Sequence, residues 1–117
     1  MECKELAENL GLEEGECIEL LELFVETTAS NLEKLQNGLA GGESGQVAEA
    51  AHTIKGSSAN LGLMEISEAA KGIEEKARQN CLEGAADAAQ SIRGACEQLA
   101  GELKTVEGMC RTVLIIN

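Results

Sequence analysis

Apolar residues return at steps of four and three along most of this chain, and no proline interrupts them. The clearest run is Ile92, Cys96, Leu99, Leu103, Val106 and Cys110, an unbroken 4-3-4-3-4 seam. That spacing gathers apolar side chains into one stripe along an α-helix but scatters them over both faces of a strand. A chain built this way must bury its stripes against other helices. There is one phenylalanine (Phe24) and neither tryptophan nor tyrosine, while Ala, Leu, Glu and Lys abound, which disfavours a β-branched, aromatic sheet. The fold class expected is all-α, an antiparallel up-down four-helix bundle.

Three earlier segments supply the other helices. Between Gly15 and Leu39, one face carries Ile18, Leu21, Val25, Thr28, Leu32, Leu35 and Leu39, with Leu20, Leu23 and Phe24 widening the stripe at its start. Asn37-Gly38 and Gly41-Gly42 are expected to end this helix, and Ser44 to cap the next. The second helix carries Val47, Ala50, Ala51, Ile54, Ser58 and Leu61 and should close at Gly62. Ile66, Ala69, Ala70, Ile73 and Ala77 form the third, with Asn80 near its end. Residues Glu2 to Leu10 read as a short extra N-terminal helix that could lie across the bundle end, and Val113 continues the fourth seam into an apolar tail. A length of 117 residues with 44% apolar content fits one domain, 1–117.

A formal net charge of −12 argues against nucleic acid or an anionic membrane surface as partner, because both reward a basic patch. A partner with a basic rim fits better. The N-terminus lacks the basic and then apolar segments of a secretory signal, and no apolar run approaches the roughly 20 residues that span a bilayer. A cytoplasmic protein, acting as a monomer, is expected. Five cysteines (Cys3, Cys17, Cys81, Cys96 and Cys110) include no C-x-x-C spacing and meet a single histidine. They read as free thiols packed as small apolar residues, with no metal site. The chain carries no G-x-x-x-x-G-K-[ST] loop and one aspartate, Asp87, so neither ATP nor Mg²⁺ is expected to bind unaided and no cofactor is expected.

The single histidine, His52, lies in the second helix at about 160° from Ile54, while the core positions of that helix fall within about 60° of Ile54. It therefore points to solvent. One turn either side on its face are Ala48 and Gly56, with Ala59 a further turn on, so the imidazole stands on a strip almost bare of side chains. Gly56 in a helix interior costs roughly 1 kcal/mol relative to alanine, which points to a use other than stability. Lys55 lies on an adjoining face and brings its ammonium near whatever the imidazole carries. A neutral imidazole is a nucleophile, and a phosphoryl group on it would place about two negative charges beside that lysine. The combination suits a phosphoryl acceptor.

The segment HTIKGSSANLG, from His52 to Gly62, resembles the H-x-x-K-G-x-S-x-x-x-G signature of histidine-containing phosphotransfer domains. Ile73-Glu74-Glu75-Lys76-Ala77-Arg78 is similar to the L-E-x-x-A-R segment of their next helix. The resemblance implies a relay protein that takes a phosphoryl group from an aspartyl phosphate on one receiver domain and passes it to another. It implies receiver domains of response regulators and hybrid histidine kinases as partners. On matched positions, His52 would be phosphorylated, Lys55 would be its electrostatic neighbour, and Gly56 would be the opening for the receiver. Glu74 would hydrogen-bond the imidazole, hold one ring nitrogen protonated and leave Nε2 as the nucleophile. Ser58, on the core side, is assigned to packing or backbone hydrogen bonding. Gly72, two residues before Glu74, is expected to loosen the segment that orients the ring.

Three other readings stay open. Within the same fold, the domain could belong to a chemotaxis-type kinase whose separate ATP-binding domain supplies the phosphoryl group. In a different class, a helical adaptor would bind through Leu20, Leu23, Phe24 and the apolar tail, with His52 incidental. A hydrolase using His52 as general base is the weakest, because no nucleophile, base and orienting group fall together in one neighbourhood.

Overall fold

The protein is described by a computed structural model covering Gly11 and residues 14–116, with side chains described for Gly11 and 15–103. The expected helix over Glu2–Leu10 and the seam residues Val106, Cys110 and Val113 fall outside the described residues and side chains. Within the described residues there are four helices and no strand: α1 (Glu14–Gly41), α2 (Ser44–Asn60), α3 (Met64–Arg78) and α4 (Ala85–Ile116). Each helix packs against the next, α4 returns to α1, and the connections are short, so the helices form an antiparallel up-down ring.

The core follows the seams. Ile18, Leu21, Leu32 and Leu35 of α1 meet Val47, Ala50, Ala51, Ile54 and Leu61 of α2 or its C-terminal cap, Ile66, Ala70, Ile73 and Ala77 of α3, and Ile92, Cys96, Leu99 and Leu103 of α4. Cys17 and Cys96 are buried as small core residues, and burial, with Glu97 nearby, pushes the Cys96 thiol's pKa up. Two expected members of the α1 stripe differ. Phe24 is buried, whereas Leu20 is 38% and Leu23 59% exposed, because they step off the seam onto the outer face of the helix.

Three helices end in the same way. At the close of α2, the Gly62 N–H donates to the Ala59 carbonyl (3.0 Å) and the Leu63 N–H to the Ser58 carbonyl (2.9 Å), with Gly62 at φ +75°. This paired closure satisfies carbonyls that a helix end leaves without partners, and buried Leu63 seals it. The pattern recurs at Gly42 after α1 and at Asn80 (φ +59°) after α3. Asn37-Gly38 therefore does not end α1. Gly38 is buried inside the helix, where a Cβ would stand 2.9 Å from Val47 Cγ2, so its lack of a side chain serves the approach of α2. Nor does Ser44 cap α2: it is the first helical residue, Glu43 holds the cap position, and no side chain bonds there.

Thr28 occupies a seam position with 1% exposure, and its hydroxyl has no hydrogen-bond partner. A buried hydroxyl without a partner carries a desolvation cost of about 1–3 kcal/mol. Thr28→Val, which keeps the shape and removes the hydroxyl, is expected to raise unfolding stability by about 1 kcal/mol, measured by urea denaturation. An unchanged or lowered stability would show that the hydroxyl is satisfied in solution.

Candidate functional site

The mid-part of α2 and the C-terminal half of α3 lie side by side, and the small residues Ala51 and Ala70, both fully buried, help the two helices pack closely. His52 projects from this pair with a side chain 61% exposed. Glu74 points the other way, into the seam between the helices, where its side chain is 6% exposed. A carboxylate placed there needs donors, and three converge on it. His52 Nδ1 lies 2.8 Å from Oε2, Lys55 Nζ donates to Oε1 at 2.7 Å, and Arg78 donates to Oε2 through Nη2 at 2.7 Å and Nε at 3.2 Å.

Burial works to raise the Glu74 pKa, but the hydrogen bonds from Lys55, Arg78 and His52, with the Lys55 charge, hold it down to about 2. The carboxylate is therefore ionised near neutral pH and can only accept. That assigns the proton to Nδ1 of His52 and, in the neutral ring, leaves the Nε2 lone pair unshared. With Lys55 and Arg78 both cationic and Glu74 anionic, the cluster carries one surplus positive charge in a strongly acidic chain.

Gly72 lies in the interior of α3, which runs unbroken from Met64 to Arg78. Within this helix Glu74 reaches the imidazole. Gly56 and Ala59 are exposed on the His52 side, and a Cβ at Gly56 would meet nothing within 4 Å. Ala48 departs from the bare exposed strip. It is 5% exposed and lines a concavity beside His52 that is bordered by Ser44, Gly45, Glu49, Ala77, Arg78 and Asn80. Ala77 and Arg78, at the end of α3, share that concavity with it. Ser58 is fully buried and donates to the Ile54 carbonyl at 2.6 Å, as its core-side position implied.

Arg78 received no role from the sequence, although it was legible as the fourth residue after Glu74, the spacing at which a glutamate and an arginine meet on one helix face. Ser67 Oγ donates to the Lys55 carbonyl, a contact with no comparable signal in the sequence because its partner is a main-chain carbonyl on a different helix.

The family model described as the Hpt domain matches residues 19–107, most of the chain and all of this site. The chain belongs to the Hpt domain family. Hpt domains carry a phosphoryl group on a histidine in phosphorelays, and the helical bundle is their architecture. Comparisons with curated proteins and with solved structures found no match. No helix among the described residues of this Hpt domain is long and apolar enough to cross a membrane.

Because the Glu74 carboxyl is held below its ordinary value of 4.5, it stabilises the fold above that pH and loses the contribution as pH falls toward about 2. Glu74→Gln should therefore be less stable than the wild type near neutral pH, with the gap closing between about pH 5 and pH 2. Chemical unfolding of both proteins across that range checks it; a gap independent of pH would mean that the ionised carboxylate contributes nothing specific.

Proposed function

We propose that this Hpt domain relays a phosphoryl group between two receiver domains, with His52 Nε2 as the atom that carries it. The observation behind the reading is the 2.8 Å contact between His52 Nδ1 and the buried Glu74 carboxylate, on an imidazole that is otherwise open to solvent. In the first transfer, the Nε2 lone pair forms the N–P bond while the P–O bond to the donor's aspartate breaks, and that carboxylate leaves with the electron pair. In the second, the acceptor's aspartate attacks phosphorus and the N–P bond returns its pair to Nε2. No net proton moves.

Phosphorylated Nε2 with Nδ1–H makes the ring cationic, and Glu74 stabilises that charge. Lys55 and Arg78 flank the same position and would oppose the charge of the phosphoryl oxygens, which suits a reaction that depends on positioning and charge neutralisation. The receiver supplies its own metal ion and acidic residues, so the complete site forms only in the complex. Gly56 and Ala59 give the receiver room to approach, and Ala48 forms part of the wall of the concavity beside it. On this reading the protein works in the cytoplasm as a monomer. Its partners are receiver domains of response regulators and hybrid histidine kinases, with no contact to nucleic acid or membrane.

Incubation with a phosphorylated receiver and no ATP should label His52 alone, giving a product labile in acid and comparatively stable in base. His52→Gln should abolish labelling with helicity unchanged. Label that survives in His52→Gln would overturn the reading.

Gly56 separates stability from function. It lies inside α2 without a positive φ and with open space around its Cβ position. Alanine or glutamine there should raise stability by roughly 0.5–1 kcal/mol. A long side chain would nevertheless obstruct a receiver that must bring its aspartate within about 3–3.5 Å, where a 1 Å displacement costs on the order of 100-fold. Gly56→Gln should melt higher and transfer far more slowly, with Gly56→Ala close to wild type in rate. Glutamine variants that transfer at the wild-type rate would exclude Gly56 from the docking surface.

A further inference from the structure

Ser67, on α3, sends its hydroxyl across to α2, where Oγ donates to the main-chain carbonyl of Lys55 at 3.1 Å. The residue is 6% exposed, so the hydroxyl has a protein partner in place of bulk water. Lys55 is thereby tied to α3 at two points, its carbonyl by Ser67 and its ammonium by Glu74 at 2.7 Å. Ser67 and Glu74 stand seven residues apart, two helical turns, and so face α2 from one stripe of α3.

The two ties differ mechanically. Lysine and arginine reach Glu74 through long side chains that can follow a shift of the backbone. A serine hydroxyl hangs on a single rotatable arm, so its bond to a main-chain carbonyl constrains how far one helix can slide along the other. Ser58 Oγ also approaches the Lys55 carbonyl, at 3.2 Å, but from within α2, where it cannot influence α3. Glu74 depends on that register because it must meet His52 and Lys55 together with its two oxygens.

We propose that Ser67 is a positioning residue: its bond to the Lys55 carbonyl locks the register of α3 against α2 and so keeps Glu74 on Nδ1 of His52. The use of Nε2 in transfer rests on the relay reading; the control of the tautomer does not. A neutral hydrogen bond of ordinary net strength corresponds to roughly a fivefold change in an equilibrium.

The test uses the full chain as wild type, Ser67→Ala, Ser67→Thr and Ala69→Gly. Ala69→Gly is a stability control: it weakens α3 on the side that faces Ser91 and Ile92 of α4, away from the Ser67 bond. Nitrogen NMR of His52 reads the tautomer, thermal melting reads stability, and label transfer from a phosphorylated receiver reads function. Ser67→Ala should raise the ratio of the Nε2–H to the Nδ1–H tautomer roughly fivefold and slow transfer, whereas Ser67→Thr keeps both near wild type. Ala69→Gly should melt lower with the tautomer unmoved. A wild-type tautomer ratio in Ser67→Ala, an equal change in Ser67→Thr, or the same change in Ala69→Gly would each overturn the proposal. If the tautomer responds as expected while no receiver labels the wild type, the relay reading fails and the positioning role stands.

Discussion

The Glu74 carboxylate is held between α2 and α3 by donors from three residues, and the chemistry of the site depends on that arrangement. A buried charge is costly unless it is paired and hydrogen-bonded. Here two full cations and one imidazole N–H meet its oxygens, so the charge is compensated without becoming protonated. The same contacts hold His52 Nδ1 at 2.8 Å from Oε2 and bring two positive groups beside it. One buried acid thus orients the ring and gathers the cations around it.

That arrangement requires a close and well-registered pair of helices. Alanines at the α2–α3 interface keep the axes close enough for a serine hydroxyl to reach the opposite backbone. The connection between these helices is short and closed by the Gly62 and Leu63 hydrogen bonds, which limit how α3 departs from α2. At the other end of α3, Asn80 in the left-handed region ends the helix two residues after Arg78. Arg78 therefore sits in the last turn, where the helix dipole favours a cation and its guanidinium can still reach back one turn to Glu74.

Charge is unevenly distributed in consequence. The chain as a whole is strongly acidic, yet Lys55 and Arg78 outnumber the one carboxylate they share. An anionic group at His52 meets these two cations, while Glu49 is the carboxylate that lines the same concavity.

Periodicity by itself determined the four helices and most of the core, because apolar steps of three and four admit few other arrangements and nothing in the chain interrupts them. It also put His52 outside the core, Ser58 inside it, and Lys55 and Gly56 beside the histidine, since those relations lie within one helix. Helix ends were less legible: Gly38 reads as a stop until α2 is seen packed against it, and Leu20 and Leu23 read as core until the neighbouring helices leave them uncovered. Apart from the Glu74–His52 bond, which the family resemblance implied, contacts between helices belong to the tertiary structure. The burial of Ala48, the convergence of three donors on Glu74 and the Ser67 bond to Lys55 depend on the rotation and register of α3 against α2. Spacing along one helix constrains its own faces, but only packing decides which faces meet and at what height.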